Sequence, residues 1–158
     1  MNVTSHPWKQ HLTHQADALH QMTGPHRGTE ASSIKLEECV LLGCYAIRRL
    51  INAYLLPESI LHRPIPMTAY PRLRQATPLL SDAPLNTRYD LQAGKSVSHD
   101  LLFFCHQVLH NCHFEVRLAA DKSITGILVT SDHQRKVAVY GIELSTIETL
   151  FRDIGESK

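Results

Sequence analysis

The amino-acid sequence predicts an α+β fold: N-terminal helices and a central helix packed with a C-terminal three-stranded antiparallel β-meander and a final short helix. Three observations carry that expectation. Apolar residues recur at helical spacing in two segments before residue 56 and again around Cys105. They alternate with polar residues from Phe114 to Leu118, the period of a strand. The polar breaks after that strand and after residue 130 are short, which favours antiparallel neighbours. A chain of 158 residues suits one domain, 1–158. Its parts are a helical segment (1–56), a proline-rich crossover (57–96) and a helix–meander–helix segment (97–158).

Ser5 as N-cap and Pro7 in the first turn open the first helix. Trp8, Leu12, Gln15, Leu19 and Met22 form its buried seam, and Gly24-Pro25 ends it. His11, His14 and His20 lie off the seam and are expected to be solvated. Ser32 or Ser33 opens a second helix that runs to about Leu55, before Pro57. Leu36, Cys39, Val40, Gly43, Ile47, Leu50, Ile51 and Tyr54 make its broad apolar face, and Gly43 there lets another helix approach closely. Leu41, Tyr45, Arg48, Arg49 and Asn52 occupy the opposite side. A helix apolar on most sides near its middle is expected at the centre of the fold.

Six of the eight prolines lie in residues 57–84. Proline fixes φ and lacks the amide donor, so an extended crossing segment with at most short turns is expected there. Ser96 or Ser98 caps a third helix over roughly residues 98–112, with Leu101, Leu102, Phe104, Cys105, Val108, Leu109 and Cys112 facing the core. Strands follow at 114–118, 125–130 and 136–142. Ser145-Thr146-Ile147-Glu148 has capping-box spacing. It opens a last helix that buries Ile147, Leu150, Phe151 and Ile154 and stops at Gly155.

Composition narrows the function classes. Apolar residues are 43% of the chain, and 16 Lys plus Arg face 15 Asp plus Glu. That balance predicts no strong DNA-binding surface and no polybasic membrane patch. No apolar run approaches the roughly 18–20 residues of a membrane span, and the polar N-terminus lacks a signal-peptide stretch, so a cytoplasmic location is expected. Cys39, Cys44, Cys105 and Cys112 have no C-x-x-C spacing and read as small buried apolar residues in a reducing compartment. No phosphate-cradling glycine motif and no nucleophile elbow is present, and no cofactor is expected.

Eleven histidines are the compositional oddity. At 100° per residue, His99, Phe103, His106, His110 and His113 share an arc of about 80°, opposite the apolar face, provided the third helix persists to 113. His106 and His110 have the i, i+4 spacing that brings two imidazoles to one metal. No acidic or cysteine third ligand supports them, so no metal is expected, with His106, His110 and His113 the candidates if one binds. The stripe equally suits solvated or interfacial imidazoles, which cost little when neutral. Ser131, Asp132, His133 and Arg135 form a second polar cluster, read as a tight turn.

The string Cys105-His106-Gln107-Val108-Leu109-His110 resembles the HEPN motif. HEPN proteins are small helical domains with an Arg, then a polar Asn, Asp or His, and a His a few residues further on. The resemblance implies a homodimer in which the Arg and His of two subunits meet and cleave RNA without metal. His106 matches the polar position and His110 the catalytic His, while Cys105 stands where the family has Arg. Arg48 or Arg49 of the second helix would have to supply the guanidinium. The layout of a helix ending in His, an aromatic strand and Thr130-Ser131-Asp132 with Arg135 before the next strand is also similar to small bacterial proteins of mobile elements.

Three functions compete on these residues. The first is a non-catalytic accessory or interaction protein, homodimeric through the second and third helices. The second is a HEPN-like RNase or RNA-binding toxin or defence component that acts through His110 and His106. The third is a small-ligand binder with Tyr45, Phe103 and Tyr54 around a pocket. Arg48, Arg49, Asn111, Asp132 and Arg135 complete the set of candidate binding residues.

Overall fold

The chain is α+β, with five helices and one five-stranded antiparallel sheet in the described residues. The computed structural model describes residues 6–74 and 84–158. Helix α1 spans Pro7–His20 and α2 spans Glu30–Asn52. A short α3 (Glu58–Leu61) leads to β1 (Ile65–Pro71) and β2 (Lys95–His99). Then come α4 (Leu101–Leu109), β3 (Asn111–Leu118), β4 (Ile124–Ser131), β5 (Ala138–Glu143) and α5 (Leu144–Glu156). The strand order is β2-β1-β5-β4-β3.

The meander β3–β4–β5 pairs in sequence, but it is part of a wider sheet. The two further strands correct the three-stranded expectation: β1 lies in the proline-rich crossover, and β2 straddles its end. Prolines are tolerated in β1 because each meets one neighbour only. Pro66 pairs with Ser98 of β2, beyond the reach of β5, and Pro71 pairs with Ala138 of β5, beyond the reach of β2. Ser96 and Ser98 belong to the edge strand β2 and cap nothing; Asp100 caps α4 by accepting from the Phe103 N–H at 2.9 Å. Pro78, Leu79 and Leu80 of the expected crossover lie outside the described residues.

Side chains alternate across the sheet. Ile127, Val129, Tyr140 and Ile142 join the main core with α1, α2, α4 and α5. Helices α4 and α5 lie on this face, with α1 against α5 and α2 against α4. Leu128, Val139 and Tyr70 point to the other face, where Leu85 and Tyr89 cover them.

The seam of α1 holds: Leu12, Gln15, Leu19 and Met22 are buried. Lys9 is buried as well, and its ammonium donates to the Ser157 carbonyl just past α5 at 3.0 Å. The expected N-cap Ser5 lies outside the described residues; His6 fills that role, accepting from the Trp8 N–H at 3.3 Å. Helix α2 starts earlier than Ser32. Thr29 caps it, and Ser32 is the reciprocal partner in a capping box. It also ends earlier, at Asn52, so Tyr54 leaves the predicted apolar face. Tyr54 has left-handed backbone (φ 56°) and is 94% exposed. Gly43 meets its expected partner in α5: a Cβ there would overlap the Phe151 ring. At α5 the predicted capping box does not form. Glu143 is the N-cap residue without a side-chain bond, and Glu148 instead pairs with His20 and Arg152.

Candidate functional site

The site grows from the end of α4. This helix buries Leu101, Phe104, Cys105, Gln107 and Val108 and turns His106 and His110 outward. His110 is the C-cap, and the Asn111 side chain donates to the Val108 carbonyl at 2.7 Å as the chain enters β3. The helix therefore stops short of 113, and the five-residue stripe breaks up. His99 closes β2, where its ring stacks on Phe103 at 3.6 Å, and both rings meet Tyr140 edge-on. His113 lies in β3, on the sheet face away from the helices, against Tyr89.

What remains on α4 is a pair. The His106 and His110 ring centroids are 4.9 Å apart. A third imidazole joins them from the turn after β4: His133, 5.2 Å from His106. Two hydrogen bonds hold that turn against α4. The Ser131 N–H donates to Gln107 Oε1 at 2.9 Å, and the Asp132 N–H donates to the His110 carbonyl at 3.3 Å. The turn itself forms as expected, closed by the Gln134 and Arg135 N–H groups donating to the Ser131 carbonyl.

Helix α2 contributes the charge. Arg48, Leu102, His106, Leu109 and His110 line one cleft of about 270 Å³. The chain thus brings Arg48 to the two histidines from across a helix pair, while exposed Arg49 is not among the lining residues. Leu102, expected in the core, is 43% exposed at the cleft wall because the inner face of α4 is centred on Leu101, Phe104, Cys105 and Val108. Burial holds the His106 imidazole below the usual histidine range, and His110, His133 and Arg48 push it the same way.

The remaining candidates disperse. Tyr45 packs edge-on against Trp8, Phe103 stacks on His99, and Tyr54 is exposed. Asp132 is exposed and Arg135 lies near His113. Among the described residues no three His, Cys, Asp or Glu side chains are placed to hold a metal ion. No described helix is long and apolar enough to cross a membrane. Cys105 is buried against α2, where burial and this facing thiol push the Cys44 thiol well up.

Comparison with protein-family models, with curated proteins and with solved structures finds no match. The cleft is therefore read from its own chemistry. It joins one permanent guanidinium to two imidazoles, with a third alongside, and no carboxylate is among its lining residues. Such a set attracts anions, and more strongly as protons are added.

Two of its parts escaped the sequence. His133 belongs by sequence to its turn, and only a tertiary contact ties it to His106. Gln107 does carry a signal: its place on the wheel beside Phe104 and Val108 marks it as a buried polar residue that needs a partner.

Proposed function

We propose that this chain is a non-catalytic accessory protein that binds a phosphate-bearing ligand, with the RNA backbone as the ligand class. One observation carries the reading: Arg48 lines the same cleft as His106 and His110. The guanidinium that Cys105 does not provide in the HEPN-like string is supplied from α2. A guanidinium matches phosphate geometry with paired N–H donors, and adjacent imidazoles add charge-assisted donors once protonated. A cleft of about 270 Å³ suits a phosphate group with part of its nucleotide rather than a large organic ligand.

A metal-independent RNase is the second reading, favoured by the 4.9 Å spacing of the two rings. Burial lowers the His106 pKa, which favours the unprotonated form that a general base needs. Self-association through α2 and α4 fits both readings, because Leu42, Tyr45 and Leu102 are exposed apolar side chains on these helices.

Fluorescence anisotropy with a labelled single-stranded RNA tests the proposal at about pH 6 and about pH 8. The expected result is tighter, salt-sensitive binding at the lower pH, intact RNA on a denaturing gel, and a dimer by sedimentation at micromolar concentration. The sign follows from the histidines: protonation adds positive charge beside Arg48, so affinity rises as pH falls through the depressed His106 value. Equal affinity at both pH values would overturn the reading. RNA cleavage that disappears in His110→Ala would replace it with the RNase.

A further inference from the structure

The sheet has two edges, and the sequence treats them differently. Strand β2 is five residues long, begins with Lys95 and carries Ser96 and Ser98. Shortness and an edge lysine are two of the devices that keep a strand from pairing with another chain. Strand β3 is eight residues long and pairs with β4. Among the described residues no strand lies on its other side. Such an edge presents a row of N–H and C=O groups without ladder partners. Register shifts at Asn111/His113 and Arg117/Leu118 bound a regular stretch between them.

Beside that stretch runs the first half of α2. Glu30, Ile34 and Glu37 follow at one-turn spacing on this helix, and with Phe114, Glu115 and Val116 they line a groove of about 330 Å³. The floor of the groove is apolar. Phe114 and Val116 pack partly onto the main core, and Ile34 is 62% exposed. Its charge has one sign: three glutamates line it and no lysine or arginine does. Among the described residues none of the three is in an ion pair. Glu115 is in register with Leu128 and shares the sheet face away from the helices, so it flanks the edge from below while Glu30 and Glu37 flank it from α2.

We infer that the β3 edge docks an extended peptide of a partner protein, alternating apolar and basic residues, as a sixth strand alongside α2. In strand addition the main chain supplies the ladder bonds and alternate side chains supply specificity. Here the apolar set seats on Ile34, Phe114 and Val116, and the basic set meets Glu115, an opposite-charge pair that stabilises a ladder. A second copy of this chain fits less well. Two-fold pairing of β3 with itself brings two sets of glutamates together, and the arginine of the strand, Arg117, is held over the Tyr70 ring at 5.5 Å. The groove shares no lining residue with the histidine cleft and does not depend on it.

The test titrates the full-length protein at about pH 7, where glutamates are charged, with a labelled, end-blocked peptide of alternating valine and lysine. Fluorescence anisotropy reads affinity, and amide hydrogen exchange reads where the peptide lies. Saturable binding is expected, with slowed exchange of β3 amides. The same peptide with glutamate for lysine, or with every amide N-methylated, should bind far more weakly. Ile34→Asp should weaken binding about tenfold and Glu115→Lys about fivefold, both at exposed positions, while Lys95→Gln on the other edge should bind as wild type. The inference is overturned by equal affinity for the glutamate or N-methylated peptide, by unchanged affinity in both Ile34→Asp and Glu115→Lys, or by protection on β2 instead of β3. Protection of β3 that grows with protein concentration in the absence of peptide would give the edge to a second copy and overturn it as well.

Discussion

Phe151→Ala is expected to destabilise the protein by about 3–5 kcal/mol. In a chain of this size that lowers Tm by roughly 6–20 °C. Phe151 is fully buried on α5 and its ring lies directly over Gly43 of α2. The contact joins the two helix layers: α5 rests on the sheet and on α1, while α2 rests on α4 and α1. Truncation removes the apolar area of an aromatic ring and leaves a cavity between α5, held on the sheet and α1, and α2, held on α4 and α1. Gly43→Ala attacks the same joint from the other side. Its Cβ would overlap the fully buried Phe151 ring, so overpacking should outweigh the gain of about 1 kcal/mol in helix propensity. The two changes should couple. In Phe151→Ala the space over Gly43 is open, and Gly43→Ala should then cost little or even stabilise. Strict additivity in denaturant unfolding would show that ring and glycine are not in contact.

Arg48→Gln is expected to lower affinity for phosphate in the histidine cleft by about tenfold or more at about pH 6, a loss of about 1.4 kcal/mol or greater. The adjacent arginine provides the control. Arg49 is exposed and does not line the cleft, so Arg49→Gln removes the same unit of charge from the same helix without touching the site. A less than twofold effect is expected for it, because exposed charges are screened over about 10 Å at ordinary salt. Equal losses in the two variants would mean that net charge, not the cleft, holds the ligand. Isothermal titration of both variants alongside the wild type measures the difference.

The parts of the fold legible in sequence were those with a clean apolar period. The buried seams of α1, α2 and α5 follow their 3.6-residue spacing, and β3, β4 and β5 follow alternation or apolar runs between turns. Strands β1 and β2 were hidden for different reasons. Pro66 and Pro71 masked β1, although both occupy positions with a single neighbour. Strand β2 is an exposed edge whose lone half-buried apolar residue, Val97, leaves no pattern to read.

The site was legible to the same degree as its spacing was local. The His106–His110 pair follows from one helical turn, and Arg48 from its place on the polar side of α2. His113 misled because Asn111, Cys112 and His113 continue the helical pattern while the chain has already turned into β3. His133 reaches the α4 pair only through the turn that follows β4, and no local period encodes that.

The central claim is that Arg48, His106 and His110, with His133 alongside, act as one anion site. The most direct measurement is an NMR titration of the histidine ring nitrogens with inorganic phosphate at about pH 6. The account predicts that the His106, His110 and His133 signals move together with one Kd, that phosphate raises the depressed His106 pKa by favouring its protonated form, and that Arg48→Gln raises that Kd. Rings that titrate with pH but ignore phosphate, or that respond with unrelated constants, would contradict it.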